Sequence, residues 1–111
     1  MQTYQSSKML RVYLNEKDRF DGKPLYEAIV AKCRQLSIAG ATVFRGVQGF
    51  GRGPESDAHL AHDLPVMVTI VDTNENVSRL LPEIRDMIGG GLIVASDVTM
   101  RRVQARSRAA E

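Results

Sequence analysis

The spacing of apolar residues switches repeatedly between two periods along this chain. From Lys8 to Leu14 the period is two. Leu10, Val12 and Leu14 point one way and Met9, Arg11 and Tyr13 the other, which predicts a strand. Residues 1–7 before it are polar and are expected to be loose. Asn15 to Lys23 is charged and contains the turn pair Asp21-Gly22. Pro24 suits a first helical position, and Leu25, Ile29, Cys33 and Leu36 then recur at helical spacing. This helix should end near Ser37, with Gly40 in the loop that follows. Period two returns over Ala41 to Gln48, where Val43, Arg45 and Val47 alternate with Thr42, Phe44 and Gly46. Gly49-Phe50-Gly51-Arg52-Gly53-Pro54 breaks the pattern, and the β-branched run from Leu64 to Asp72 predicts a third strand. Thr73 or Asn74 can cap a second helix. Its apolar stripe is Val77, Leu80, Leu81, Ile84 and Ile88, opposite a wet face of Arg79, Glu83 and Asp86. Pro82 inside this stripe predicts a kink or a restart. Gly89-Gly90-Gly91 stops the helix, and Leu92 to Val103 reads as strand four.

The order is thus β-α-β-β-α-β. Right-handed crossovers leave one simple solution, an α+β ferredoxin-like sandwich. A four-stranded antiparallel sheet carries both helices on one face. The 111 residues read as a single domain with a core over 8–103, a long loop at 51–63 and a loose tail at 104–111. Two helices cover only one side of such a sheet. Yet strand three is apolar on both sides, with Val66, Val68 and Ile70 against Met67, Thr69 and Val71. Strand four sets Leu92, Val94 and Val98 against Ile93, Ala95 and Thr99. A second apolar face needs a second cover, so self-association through the sheet, in a closed ring, is the expectation.

Composition changes this picture little. The net charge of +2 is too small to argue for nucleic acid or a membrane surface as the partner. Arg101, Arg102, Arg106 and Arg108 read as a solvated tail. Cys33 is the single cysteine; it excludes an internal disulfide and fits a reducing cytosol. Its place on the apolar stripe of helix one predicts a buried structural thiol rather than a nucleophile. No apolar run approaches the ~20 residues of a membrane helix, and the N-terminus lacks the apolar stretch of a signal peptide. A cytoplasmic location is expected.

Three groups of residues offer chemistry. Gly49, Gly51 and Gly53 can expose backbone N–H groups to an anion, with Arg52 supplying charge, and Gly89, Gly90 and Gly91 can do the same on a neighbouring subunit. The alternative for both clusters is loop punctuation and a helix cap. In Asp57-Ala58-His59-Leu60-Ala61-His62-Asp63, a helical turn would place His59 and His62 on one face, a spacing that suits zinc, copper or nickel; the alternative is a solvated loop. Glu16, Asp18 and Asp21 lie close to Lys17 and Arg19, which makes mutual solvation the expectation over acid–base work. There is no Ser-His-Asp order, P-loop or cysteine pair, so an enzyme is not expected.

Several segments resemble a known family. Gly49-Phe50-Gly51-Arg52 is similar to the start of the T-loop of PII signal-transduction proteins, and Leu64-Pro65 to the return from it. Gly91-Leu92-Ile93-Val94 leading to Asp97-Val98 is similar to their last strand. The closer resemblance is to the PII-like family of domains of unknown function numbered one hundred and ninety. It is carried by Gly22-Lys23-Pro24-Leu25-Tyr26-Glu27-Ala28-Ile29-Val30 and by Ile38-Ala39-Gly40-Ala41-Thr42-Val43 leading to Arg45-Gly46. The likeness spans about residues 8–103. It implies a homotrimer packed through its sheets, with a small ligand in clefts between subunits. In PII proteins that ligand is an adenine nucleotide, and the T-loop reports its presence to a target protein. Members of the uncharacterised family sometimes accompany fluoride-exporter genes, which implies a membrane transporter as one kind of target. Carried over to this chain, the ligand-binding residues are Gly49, Phe50, Gly51, Arg52, Gly89, Gly90, Gly91, Arg101 and Arg102. The chain departs from the PII pattern in places. Met87-Ile88-Gly89-Gly90-Gly91 lacks a lysine, and the positions of the phosphate arginines fall on Val103 and Ala105, with Arg101 and Arg102 out of register. Residues 51–63 contain no tyrosine, so uridylylation does not carry over. The metal reading with His59 and His62 resembles instead the copper-tolerance relatives of PII proteins.

Overall fold

The computed structural model describes residues 3–50 and 63–105. Its elements are β1 (Gln5–Asn15), β2 (Arg19–Phe20), β3 (Lys23–Pro24), α1 (Leu25–Gln35), β4 (Gly40–Arg45), β5 (Pro65–Thr73), α2 (Asn74–Met87) and β6 (Leu92–Met100). One four-stranded sheet has the order β4-β5-β1-β6, with each neighbouring pair antiparallel. Together with two helices this is the α+β ferredoxin-like arrangement that the chain order predicts.

The period-two pattern is obeyed in register. Leu10 lies opposite Ile70, Val12 opposite Val68, and Leu14 opposite Val66. All six are at most 2% exposed. Ile29 and Cys33 of α1 and Leu80 and Ile84 of α2 close over them, with Val43 and Ile93 at the margins. Each fully buried aliphatic side chain contributes about 1.5–3 kcal/mol, so this aliphatic layer is the main stabilising unit of the monomer.

Several boundaries differ from those that the sequence predicts. The first strand begins at Gln5, inside the polar segment expected to be loose, because Gln5, Ser6 and Ser7 pair with Met100, Thr99 and Val98. Backbone pairing with β6 does not require apolar side chains. The charged stretch after β1 is not plain loop. Arg19 and Phe20 pair with Pro24 and Lys23 across Asp21 (φ 50) and Gly22 (φ 78), a two-residue hairpin with both turn residues left-handed. Pro24 is the N-cap of α1 rather than its first residue. α1 ends at Gln35, where Ser37 (φ 56) takes the left-handed position usually held by glycine. The Ser37 N–H donates to the Arg34 carbonyl and the Ile38 N–H to the Cys33 carbonyl, which ends the helix ahead of Gly40.

β4 stops at Arg45 rather than Gln48, and β6 at Met100 rather than Val103. α2 runs through Pro82 as one helix, without the restart that proline predicts. Ser78 and Pro82 are both exposed, so the carbonyl that loses its donor faces solvent. The α2 cap is Thr73, whose hydroxyl accepts from the Asn76 N–H at 3.3 Å. No helix among the described residues is long and apolar enough to cross a membrane.

Candidate functional site

Four chain segments converge at one end of the sheet: the end of β1, the end of β4, the start of β5 and the start of β6. The long loop leaves from this end and returns to it, and its stem is tightly tied. The Gly46 N–H donates to the Pro65 carbonyl at 2.7 Å, and the Glu16 N–H to the Leu64 carbonyl at 2.8 Å. The Lys17 N–H donates to the Asp63 carboxylate at 3.0 Å. Arg45 Nε meets the Glu16 carboxylate at 2.7 Å. Glu16 thus braces the stem and Asp18 accepts the Asn15 N–H at 2.9 Å, which are structural roles for two of the three clustered carboxylates. Gly46 must lack a side chain, since a Cβ there would lie 2.7 Å from the Pro65 ring.

Beyond this stem, Gly49 and Phe50 emerge into solvent, with Phe50 89% exposed. Gly51, Arg52, His59 and His62 lie outside the described residues, as does most of the long loop. Among the described residues there is no cluster of His, Cys, Asp and Glu with metal-ligand geometry.

Gly89, Gly90 and Gly91 sit at the same end of the sheet, ahead of β6. Gly91 (φ 149) runs against β1, where an added Cβ would lie 2.6 Å from the Tyr13 carbonyl oxygen. The strands that adjoin the two glycine groups, β4 and β6, are the opposite edges of the sheet, with β5 and β1 between them. Gly49 turns back against the Pro65 ring at the start of β5, while Gly91 lies against Tyr13 of β1. Arg101 and Arg102 are farther still. They follow the last residue of β6, roughly 30 Å along that strand from Gly91. Of the nine residues predicted to bind ligand, the seven described ones therefore form three groups.

The arginine end has features that sequence reasoning missed. Arg101 lies over the Tyr4 ring, 5.8 Å from its centroid. A groove of about 520 Å³ is lined by Ser6, Ser7, Asn74, Asp97, Val98 and Thr99. Lys8 and Asp97 form an ion pair across β1 and β6. Asp72 is completely buried and satisfied. Its carboxylate accepts the Ala39 N–H at 2.8 Å, the Thr73 N–H, and the Asn76 amide at 3.1 Å. Burial by itself pushes this carboxyl up. The donors from Thr73, Ala39 and Asn76, aided by the Arg102 guanidinium, outweigh burial and hold it below the usual carboxylate range. The one cue in the sequence is an aspartate ending a β-branched run directly before a cap. Cys33 is pushed up to about 11 by burial, which removes thiolate reactivity at neutral pH and bears out the structural reading.

The face of the sheet opposite the helices is left uncovered within the chain. Tyr13, Phe44, Leu92 and Val94 lie on it and are 38%, 50%, 52% and 41% exposed. Phe44 lies opposite Met67, Met67 opposite Tyr13, and Tyr13 opposite Leu92, so an apolar row crosses all four strands.

This sheet order, a long loop between its second and third long strands, and a bare sheet face define a fold of the PII type. The chain belongs to the DUF190 family ("Uncharacterized ACR"), whose model matches residues 7–100. It is 38% identical over 95 residues to a UPF0166 protein of Aquifex aeolicus, spanning 82% of this chain and 90% of that protein. It is 40% identical over 95 residues to a UPF0166 protein of Methanocaldococcus jannaschii, spanning 82% and 88%. Among solved structures it is similar to the nitrogen regulatory PII-like protein CPII of Thiomonas intermedia K12. The form bound to ADP, AMP and acetate gives a TM-score of 0.63 at 16% identity, covering 90% of this chain and 93% of that one. The form bound to ADP and bicarbonate gives 0.61 at 19%, with the same coverage.

Proposed function

We propose that this chain is a PII-like regulatory protein, a homotrimer that binds a small anionic ligand, an adenine nucleotide in the first instance, in clefts between subunits. One observation carries the reading. Gly49 and Gly89–Gly91 lie at the same end of the sheet, on segments joined to its two edge strands, β4 and β6. In the assembly we propose, the two come together from neighbouring copies. Copies packed through their bare sheet faces set the β4 edge of one against the β6 edge of the next, and Gly49–Gly53 then faces Gly89–Gly91 across a seam. Backbone N–H groups in such loops suit phosphate oxygens. Arg52 would bring charge to the cleft, while Arg101 and Arg102 lie at the far end of β6, outside it.

The role is sensing rather than catalysis. Ligand in the seam would order the long loop, whose stem is already fixed by Gly46–Pro65 and Glu16–Arg45, and the loop would address a target protein. That CPII is bound to adenine nucleotides supports this class of ligand. The test is thermal denaturation against a panel of AMP, ADP, ATP and cyclic nucleotides, beside sedimentation at micromolar concentration. A trimer stabilised by about 3 kcal/mol at a hundredfold excess over its dissociation constant is the expected result. No stabilisation by any nucleotide at millimolar concentration rejects the ligand class.

A further inference from the structure

A polar band crosses the middle of the bare sheet face. Thr42 lies opposite Thr69, Thr69 opposite Arg11, and Arg11 opposite Val94. This row runs across the middle of the sheet, directly beside the apolar row of Phe44, Met67, Tyr13 and Leu92. On its other side Val71 lies opposite Met9. Arg11 is half-buried, and its guanidinium makes no hydrogen bond or ion pair with any described residue. The strands place no carboxylate on this face: Arg11 is its one charged residue among those described. Every side-chain polar group in the row is a donor or a hydroxyl.

A face covered by another copy of itself has a consequence for this residue. A guanidinium does not shed its proton inside proteins, and a covered cation needs a counter-charge. Among the described residues, the matching face of a second or third copy brings only another Arg11 as a charged group. We infer that the middle row of this face is a binding site for a small planar oxyanion, a carboxylate or carbonate-class ion, held by Arg11 with the Thr69 and Thr42 hydroxyls and enclosed when copies of the chain assemble. The planar fork of a guanidinium matches two oxygens of such an ion. The Thr69 hydroxyl, one strand away, and the Thr42 hydroxyl, two strands away, supply the remaining donors. This site lies on the sheet face and is distinct from the glycine cleft at the sheet end. The inference rests on the trimer reading above for its closure.

The experiment uses the full chain and three variants: Arg11→Met, Arg11→Lys and Arg34→Met. Melting temperature is followed during titration with sodium bicarbonate, acetate and sulfate against chloride at constant ionic strength. The parent trimer should gain on the order of 5 °C with a saturating dependence on bicarbonate or acetate. Arg11→Met should lose the response while remaining a trimer by sedimentation. Arg11→Lys, which keeps the charge without the fork, should bind at least tenfold more weakly. Arg34→Met, which removes an exposed arginine from α1, should respond like the parent. A parent trimer indifferent to these ions, or an Arg11→Met protein as responsive as the parent, overturns the site and leaves the assembly standing. A parent that sediments as a monomer overturns the trimer and the enclosed site together.

Discussion

Asp72 shows how much one buried carboxylate can organise. It joins the loop after α1, the last turn of β5 and the start of α2 through donors from Ala39, Thr73 and Asn76. Its folded-state pKa lies below its unfolded value. The stability it contributes is therefore fully present above the unfolded value of about 4 and is lost as pH falls through the lower folded value. Urea denaturation should show stability decreasing at acid pH, with part of that slope missing in Asp72→Asn. At pH 7 the variant should lose about 1–3 kcal/mol, because an amide cannot accept all three donors equally well. Equal midpoints at pH 7 and an unchanged acid slope would remove Asp72 from this role. Gly91 offers a second residue-scale test. An alanine there would place a Cβ 2.6 Å from the Tyr13 carbonyl, whereas Gly89 has open space around it. Gly91→Ala should cost about 1–3 kcal/mol in denaturant melts and Gly89→Ala much less. Comparable losses from both would refute the close approach.

At the scale of elements, apolar periodicity carried most of the information. Leu10, Val12 and Leu14 and the opposing Val66, Val68 and Ile70 were legible as core positions because side chains alternate strictly along a strand. Helix stripes at Ile29, Cys33, Leu80 and Ile84 were legible for the same kind of reason. What sequence reading lost was held by the backbone. β1 extends to Gln5 on main-chain pairing alone, and the β2–β3 hairpin is two residues on each side of a turn. The Ser37 cap escaped notice because serine seldom takes a left-handed φ. α2 tolerated Pro82 because the unpaired carbonyl faces water. Among the candidate site residues, Gly49 and Gly91 could be named from sequence. Their contacts, Gly49 with Pro65 and Gly91 with Tyr13, could not, since these depend on strand order.

For the whole molecule, the bare face is the feature to test. If copies pack through it, charge placed at Phe44 or Val94 should disperse them, because neither position offers a route for that charge to water once covered. Phe44→Asp and Val94→Lys should each shift sedimentation at micromolar concentration from a trimer to a particle of one chain, while circular dichroism keeps the monomer's α+β signature. A trimer that survives both substitutions would place the interface elsewhere.

The residues alone determined the element order, the alternation of two side-chain sets along each long strand and the presence of a second apolar face. All of these follow from local periodicity, which is set by backbone geometry within a few residues. The tertiary structure decided which ends of which strands lie together. It brought Gly49 and Gly91 to one sheet end, against β5 and β1, moved Arg101 and Arg102 to the far end, and aligned Arg11 with Thr69 and Thr42 in one row. Those relations join residues distant in sequence through hydrogen-bond register, and no local pattern along the chain encodes a register.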